Sequence, residues 1–211
     1  MCGAAAAGPC TACAAELRYA PALPPPAGVD SCAALLTYAG TGRELVARLK
    51  YRNARSSVAF LARGMAAVAA APGHTPGQRP TIDVVTWAPT TPARLRERGF
   101  DQARLLARAV ARELGLPCRP LLRRRAGPAQ TGRDAVARRS GPGFTARRVL
   151  DGRRVLLVDD VVTTGATVTA AARALTSAGA VEVHVVAAAR TPPSRRRVDS
   201  GVAERRSQTW K

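Results

Sequence analysis

Long hydrophobic segments are missing from this chain of 211 residues. No apolar run approaches the roughly 18 residues that a membrane-spanning helix needs. The beginning of the sequence also lacks the charged region and the long apolar region of a secretory signal peptide. These absences predict a soluble protein of the cytoplasm that makes no contact with a membrane.

Aromatic residues and lysine are both scarce. Aromatic residues make up 4% of the chain and hydrophobic residues 46%, so the core must consist mainly of alanine, valine and leucine. Only Lys50 and Lys211 are lysines among the 33 basic residues, and the formal net charge is +19. So large a positive charge is typical of proteins that bind nucleic acids. A GC-rich coding sequence produces the same excess of arginine and alanine without a functional cause, and both interpretations stay open.

The five cysteines do not have the pattern of a disulfide-stabilised protein. Their number is odd, and the chain shows no export signal. Cys10 and Cys13 have the C-x-x-C spacing of half a zinc site, and Cys2 precedes them. Cys118 begins an apolar segment, which predicts a buried thiol.

A proline-rich break divides the chain. Residues 1–30 contain three of the cysteines and the spacer PALPPPAG, and we predict that they form a small module apart from the main domain. Residues 31–192 contain the strand and helix patterns of that main domain. Residues 193–211 are basic and have little to bury, which predicts a disordered tail.

Short apolar runs alternate with segments of helical periodicity in the main domain. The predicted strands are CAALLTY, IDVVTW, RRVLLVDD and VEVHVVAAA, with CRPLLRR as a weaker candidate. The predicted helices are GRELVARLKYRN, SVAFLARGMAAVAAA, GFDQARLLARAVARELG and residues 166–177. This order predicts an α/β fold with a parallel sheet covered by helices on both faces. Residues 123–148 are polar and rich in glycine and arginine, so we expect a loop, either functional or disordered.

The segment VLLVDDVVTTGATV, residues 155–168, has the clearest chemical content. Asp159 and Asp160 end a buried strand, and the small Thr- and Gly-rich turn after them leads into a helix. Such a turn suits a phosphate, because backbone N–H groups and the helix dipole favour an anion there. The carboxylates suit hydroxyl donors, a cation or both. A strand-end aspartate followed by a Thr-capped helix also occurs in many α/β proteins without a ligand.

The first 13 residues of this segment resemble the phosphoribosyl-pyrophosphate-binding motif of the type I phosphoribosyltransferases. The resemblance implies the fold of that family, a Rossmann-like parallel sheet flanked by helices. It also implies that Asp159 and Asp160 contact the ribose 2′- and 3′-hydroxyls and that the turn holds the 5′-phosphate. The turn residues implied in phosphate binding are Thr163, Thr164, Gly165, Ala166 and Thr167.

A second segment is similar to one branch of that family. Residues 84–108, VVTWAPTTPARLRERGFDQARLLAR, resemble the region around R-x-R-G-F-[DN]-Q in the ComF branch, which includes competence-associated and GntX-like proteins. LKYR at 49–52 and AQTG at 129–132 also fit this branch. The chain departs from the pattern at RRSGPGF, where Ser140 replaces an expected asparagine and the segment is shorter.

The resemblance implies displacement of pyrophosphate from C1 of the ribose by a nucleophile, usually nitrogen. Mg²⁺ normally bridges the pyrophosphate and the ribose hydroxyls. The loop APTTPAR follows a predicted strand at the place where the family binds pyrophosphate. The candidate residues for this group are Thr90, Thr91, Arg94 and Lys50. Residues 123–140 correspond to a flap that closes over the substrate, with Gln130, Arg138 and Arg139 as candidate contacts.

Members of the ComF branch typically carry an N-terminal zinc module with four cysteines. Cys2, Cys10 and Cys13 match three of those positions, which implies a Zn²⁺ site. Either the first cysteine has been lost, or the true start lies upstream of Met1, or Cys32 completes the site. A module without metal is a further alternative.

Two functions stay open at this point. The first is an enzyme that uses phosphoribosyl pyrophosphate, Mg²⁺ and an acceptor that the sequence does not identify. The second is a non-catalytic ComF-type protein that handles single-stranded DNA in uptake or recombination, with the phosphoribosyl pocket regulatory. The arginine-rich flap and tail favour the second, whereas the shortage of aromatic residues argues against a stacking platform for single strands.

Overall fold

The computed structural model describes residues 8–49, 55–71, 81–125 and 143–192. The helices in these ranges are α1 (Thr11–Ala15), α2 (Gly40–Arg48), α3 (Arg55–Ala70), α4 (Pro92–Arg98), α5 (Gln102–Leu114) and α6 (Ala166–Thr176). The strands are β1 (Ser31–Thr37), β2 (Val84–Trp87), β3 (Leu122–Arg124), β4 (Phe144–Ala146), β5 (Arg154–Val162) and β6 (Glu182–Arg190). None of these helices is both long and apolar enough to cross a membrane.

Four strands form one parallel sheet in the order β1-β6-β5-β2. The two central strands, β5 and β6, are nine residues long, and helices cover the sheet on both faces. Strands in such a position need apolar side chains on both sides, which explains their continuous apolar runs. The predicted α/β fold is confirmed.

Successive residues of β5 enter two separate cores. Val155 and Leu157 pack with α6 in one core, and Leu156 and Val158 pack with α3 and α5 in the other. All four side chains are at most 1% exposed. Packing from both faces therefore fixes β5 up to the point where its carboxylates begin.

Helix α5 has the amphipathic pattern that the sequence predicts. Leu106 and Val110 are fully buried, whereas Arg108 and Arg112 are exposed. Gly115 ends the helix with a φ of 68°, a left-handed conformation that glycine adopts at little cost. The N-terminus of the helix lies beside the loop that follows β2, where Asp101 accepts the Thr90 N–H.

Residues 123–148 are not the uninterrupted loop that their polar composition predicts. The two ends of this segment contribute to an antiparallel ribbon, in which Leu122 of β3 pairs with Ala146 of β4 and Arg124 pairs with Phe144. Leu122 and Phe144 are buried in the core beside α6, so two apolar residues anchor an otherwise polar segment. Residues 126–142, which hold the centre of the expected flap, lie outside the described ranges.

The N-terminal segment packs against the main domain. Tyr19 pairs with Leu36 along the outer edge of β1, and Val29 is 8% exposed in the core beside α6. The Pro24 carbonyl accepts a hydrogen bond from Arg190 Nη2 at 3.2 Å. The segment therefore shields the edge of β1 and reaches the carboxyl end of β6.

The segment between α5 and β3 covers the outer edge of β2. Val85 donates its N–H to the Pro117 carbonyl and accepts the Arg119 N–H, each at 2.9 Å. The hydroxyl of Thr86, a fully buried residue, accepts the Leu121 N–H at 3.2 Å. These bonds fix the start of β3, and with it the ribbon, against β2.

Replacement of Thr86 by valine tests this attachment. Valine has nearly the same shape but cannot accept the Leu121 N–H, so we expect a loss of about 1–3 kcal/mol in the free energy of unfolding. Urea denaturation of both proteins measures this loss. Thr86→Ser keeps the hydroxyl and is expected to lose less, and a valine variant as stable as the wild type would contradict the assigned bond.

Candidate functional site

A crevice lies between the carboxyl ends of β2 and β5. The two strands are paired as far as Trp87 and Val158. After β2 the chain continues to α5 on one face of the sheet, and after β5 it continues to α6 on the other face. Neighbouring parallel strands with connections on opposite faces leave a crevice at their carboxyl ends, where open α/β proteins bind ligands. Asp159 and Asp160 follow directly after the last pair.

The pairing of β5 with β6 is interrupted at Asp160. Asp159 pairs with Ala187 and Val161 pairs with Ala189, but the pair between them is missing. The Asp160 N–H donates to Asp159 Oδ1, and the Val161 N–H donates to Asp160 Oδ1, each at 2.9 Å. One oxygen of each carboxylate therefore satisfies the irregular backbone at this strand end.

Burial dominates the electrostatics of Asp159. The residue is 8% exposed, and burial raises the pKa of its carboxyl well above the ordinary value of 3.8. The negative charge of Asp160 raises this pKa further, Asp101 adds a smaller effect, and the hydrogen bond from the Asp160 N–H opposes them. Burial and the neighbouring charges thus disfavour the ionised form of Asp159, and a cation beside it would favour that form.

Asp101 connects the loop after β2 to the start of α5. Its Oδ2 accepts the Thr90 N–H at 3.0 Å, and its Oδ1 accepts the Arg104 N–H at 3.2 Å as the N-cap of α5. Burial raises the pKa of Asp101, the hydrogen bonds from N–H groups oppose this effect, and the charge of Asp160 adds to it. Asp101 was not among the site residues predicted from the sequence, although it stands in the R-x-R-G-F-[DN]-Q segment. Its neighbour Gln102 is 3% exposed, and its Nε2 has no partner among the described residues.

Three predicted diphosphate-binding residues lie between β2 and the first turn of α4. Thr90 is half-buried and held by Asp101 through its N–H. The Thr91 hydroxyl accepts the Arg94 N–H at 3.2 Å and caps α4, so it already has a structural role. Arg94 is exposed on the first turn of α4. The structure thus brings these three residues to the β2 side of the crevice.

The five predicted phosphate-binding residues form the turn after β5. Thr163, Thr164 and Ala166 are exposed, and Thr167 is half-buried. Gly165 is the N-cap of α6 and makes no side-chain cap, so N–H groups of the first helical turn keep capacity for an anion. The Ala166 N–H makes only a long hydrogen bond, 3.4 Å, to the Thr164 hydroxyl. The turn therefore has the geometry of an anion site on the β5 side of the crevice.

Gly165 is required for two reasons. Its φ is 81°, in the left-handed region that favours glycine. A Cβ at this position would lie 2.9 Å from Cγ and 3.0 Å from Cβ of Pro26. The proline-rich spacer therefore packs directly against the turn.

Arg124 belongs to the crevice, although it was not among the site residues predicted from the sequence. Its Nη1 donates to the Pro89 carbonyl at 3.2 Å, and its guanidinium carbon lies 5.3 Å from the centroid of the Phe144 ring. Burial lowers the pKa of Arg124, the nearby Arg94 lowers it further, and the carboxylates of the crevice oppose both effects. Nothing in the run LLRRR distinguishes this arginine from its neighbours, because only the pairing of β3 with β4 turns it inward.

Five predicted residues lie outside the described ranges: Cys2, Lys50, Gln130, Arg138 and Arg139.

The structure does not bring Cys32 together with Cys10 and Cys13 as metal ligands. Within the described ranges, no group of three or more His, Cys, Asp or Glu side chains is arranged to hold a metal ion. Cys32 lies on β1, where burial raises the pKa of its thiol, Arg190 opposes this effect and Asp159 adds to it. Among the described residues, nothing therefore supports the alternative in which Cys32 completes a zinc site with Cys10 and Cys13.

The oxygen ligands of the crevice suit a hard cation that arrives with its ligand. Asp159 and Asp160 offer carboxylates, but the described residues provide no third acidic, Cys or His ligand around one point. Mg²⁺ typically keeps several waters and binds through one or two carboxylates together with substrate phosphates. The residues present fit this mode of binding and not a cage made by the protein alone.

A family model for the phosphoribosyl transferase domain matches residues 101–211, more than half of the chain. The chain belongs to this family. The phosphoribosyl transferase match includes α5, the β3–β4 ribbon, both carboxylates and the turn before α6. The ComF branch within the family stays a hypothesis.

Solved structures with a similar fold include three enzymes. The glutamine phosphoribosylpyrophosphate amidotransferase of B. subtilis is 22% identical, with a TM-score of 0.44, over 68% of this chain and 30% of that enzyme. The purine phosphoribosyltransferase of Pyrococcus horikoshii is 16% identical, with a TM-score of 0.38, over 71% of this chain and 85% of that enzyme. The adenine phosphoribosyltransferase of Thermoanaerobacter pseudethanolicus is 17% identical, with a TM-score of 0.38, over 64% of this chain and 86% of that enzyme. No curated protein matches the chain, and the family assignment rests on the family model.

The replacement Asp159→Asn is expected to stabilise this phosphoribosyl transferase domain at neutral pH. Asparagine keeps an oxygen for the Asp160 N–H and removes a buried charge. Because the native pKa of Asp159 is raised above its ordinary value of 3.8, the wild type loses stability as the pH rises from that value through the native pKa. Each unit by which the native pKa of Asp159 exceeds its ordinary value corresponds to about 1.4 kcal/mol in the free energy of unfolding.

Urea denaturation at several pH values between about 4 and 8 measures this effect. The series begins near the ordinary pKa of a carboxyl group and continues above it. The stability gain of Asp159→Asn over the wild type should increase with pH. Asp151→Asn, at an exposed turn before β5, is the matched control and should show no such increase. A gain at Asp159 that is the same at every pH would contradict the raised pKa.

Proposed function

We propose that the chain binds phosphoribosyl pyrophosphate with Mg²⁺ in the crevice between β2 and β5, and displaces its pyrophosphate with a nucleophilic acceptor. The observation that carries this proposal is the juxtaposition of two strand-end carboxylates with an uncapped helix N-terminus. Carboxylates beside an anion-binding turn suit a ligand whose hydroxyls lie close to a phosphate, as they do in ribose 5-phosphate.

In this proposal the ribose lies over the end of β5. Asp159 and Asp160 each use one oxygen for the backbone, and the other can accept a hydrogen bond from the 2′- or 3′-hydroxyl. The 5′-phosphate then lies at the turn of residues 163–167, where the N–H groups of α6 are directed toward the anion. Both groups are held on one strand and one helix, so their spacing is fixed by the packed core.

The diphosphate lies on the β2 side, near Thr90 and Arg94. Thr91 supports this loop through its cap on α4. The reaction breaks the bond between C1 and the diphosphate oxygen, and a bond forms from C1 to the acceptor. The carboxylates beneath the ribose stabilise the positive charge that develops on an oxocarbenium-like transition state. Asp159 and Asp160 would hold Mg²⁺ together with the ligand, and the cation would offset the charge of the leaving group.

We propose in addition that the chain belongs to the ComF branch. The supporting observation is structural, since Asp101 of the R-E-R-G-F-D-Q segment holds the Thr90 N–H and so connects this segment to the crevice. The remaining roles proposed by resemblance are a cationic contact from Lys50, flap contacts from Gln130, Arg138 and Arg139, and a Zn²⁺ site with Cys2, Cys10 and Cys13.

Titration with phosphoribosyl pyrophosphate and MgCl₂, followed by calorimetry, tests the site. The double replacement Asp159→Asn and Asp160→Asn keeps the backbone acceptors but removes both charges. We expect its affinity to fall roughly tenfold or more, because hydrogen bonds to charged groups contribute about 1.5–3 kcal/mol. Asp151→Asn changes one charge at the other end of β5 and should bind as the wild type does.

A wild-type protein that does not bind this ligand would overturn the proposed site. Where binding occurs, release of pyrophosphate in the presence of nucleophilic acceptors distinguishes a transferase from a protein that only binds the ligand. Release that depends on both an acceptor and the two aspartates is the result expected for the enzyme.

Gly165→Ala provides a second test of the phosphate turn. The added methyl forces the turn against Pro26 and strains its left-handed backbone, so we expect weaker binding of ribose 5-phosphate and a stability loss of about 1–3 kcal/mol. Gly115→Ala is the matched control, because its φ is 68° but no atom lies within 4 Å of the new methyl. It should lose stability without losing affinity, and equal affinity losses in both variants would contradict the assignment.

A further inference from the structure

Three successive arginines lie at the end of β3, and the middle one turns inward. Arg123 and Arg125 are exposed, whereas Arg124 is half-buried. This follows from the strand, because successive side chains point to opposite faces of the ribbon. One face meets solvent, and the other meets the loop after β2 and the crevice.

Two contacts fix the guanidinium of Arg124. Its Nη1 donates to the Pro89 carbonyl at 3.2 Å, which joins the ribbon to the residue before Thr90. The Phe144 ring, directly across the ribbon in register, lies 5.3 Å from the guanidinium carbon in a cation–π contact. The orientation of the side chain is therefore set before any ligand binds.

The remaining hydrogen-bonding capacity of Arg124 is large. A guanidinium has five N–H donors, and the Pro89 carbonyl takes one. The ion pairs of the described residues do not include Arg124. A half-buried cation without a paired anion is unfavourable, and an anionic ligand that accepts its remaining donors would offset that cost.

The surrounding charges indicate what kind of anion fits. Arg94 lies close enough to Arg124 to disfavour its charged form, while Asp159 and Asp101 favour it. The β2 side of the crevice therefore has two neighbouring guanidinium groups, and the β5 side has carboxylates. A ligand with a multiply charged anionic group on one side and hydroxyls on the other matches this division.

We propose that Arg124 binds the diphosphate group of the ligand, together with Arg94, and is the residue through which the β3–β4 ribbon takes part in the site. This inference rests on the function proposed above. The guanidinium plane suits the paired oxygens of a phosphate, and its fixed orientation reduces the entropy lost on binding. Phe144 and Pro89 are its supports and have no direct contact with the ligand.

The test compares three probes on the full-length protein with MgCl₂ present: inorganic pyrophosphate, ribose 5-phosphate and phosphoribosyl pyrophosphate. Arg124→Gln should weaken binding of pyrophosphate and of phosphoribosyl pyrophosphate roughly 10- to 100-fold, because it removes charged hydrogen bonds. Its affinity for ribose 5-phosphate, which has no diphosphate, should stay within about twofold of the wild type, as expected where no contact is lost. Arg124→Lys keeps the positive charge but not the paired N–H donors of the guanidinium. Its affinity for pyrophosphate should therefore lie between those of the wild type and Arg124→Gln.

Arg123→Gln is the matched control. It makes the same change in charge one residue away, on the exposed face of the same ribbon, and should leave all three affinities unchanged. Thermal unfolding of every variant shows whether the ribbon stays folded. If Arg124→Gln unfolds, Arg124→Lys and Phe144→Leu take its place, and Phe144→Leu should also weaken pyrophosphate binding selectively.

Two results would overturn the inference while leaving the proposed function intact. One is wild-type affinity of Arg124→Gln for pyrophosphate. The other is an equal loss for ribose 5-phosphate and pyrophosphate, because that would give Arg124 only a structural role between the ribbon and the loop. A wild-type protein that binds none of the three probes would overturn the proposed function itself, and the inference with it.

Discussion

The candidate site depends on one constraint, the need of a buried strand to satisfy its backbone where its pairing fails. β5 is packed on both faces as far as Val158, and its ladder with β6 then skips Asp160. Buried N–H groups without partners are costly, so short side chains with acceptor oxygens are favoured at such a point. Asp159 and Asp160 provide those acceptors within the chain itself. This explains how two like charges can end an apolar strand, because each carboxylate is part of the local structure before it meets any ligand.

The two sides of the crevice are connected through α5. Its N-cap residue Asp101 accepts a hydrogen bond from the loop after β2. The charge of Asp160 raises the pKa of Asp101, and the charge of Asp101 raises the pKa of Asp159. The ribbon reaches this loop from the other direction, through the bond from Arg124 to the Pro89 carbonyl. A short loop with two such attachments has little freedom. The distance between the sites proposed for diphosphate and ribose is therefore determined by the sheet and by α5, and the loop itself contributes little flexibility.

The sequence predicted the parallel sheet, the amphipathic helix α5 and the turn after β5, because each is written in local periodicity or in a contiguous motif. It did not predict Arg124 or Asp101 as site residues, since their importance arises from contacts with Pro89 and Thr90 that are distant along the chain. Strand β3 lies within CRPLLRR, the weaker strand candidate, but its pairing with β4 was not predicted, for the same reason. Phe144 of β4 is an isolated apolar residue in a polar segment, and its burial depends on the core beside α6. The sequence thus predicted features that lie within one helix, strand or motif, but it did not predict contacts between elements that are distant along the chain.

The charges of the site are balanced only in part when no ligand is bound. Burial and mutual repulsion raise the pKa of Asp159, while burial and Arg94 lower that of Arg124. The two groups stay on opposite sides of the crevice and form no ion pair that would relieve both costs. In the proposed function, a hydroxyl-bearing ligand with a diphosphate and a divalent cation would supply a partner on each side. Binding would then relieve unfavourable burial at both ends of the ligand, so affinity and the stability of the folded state should rise together. Replacement of either charge by a well-packed apolar residue would stabilise the empty protein and remove what the ligand recognises.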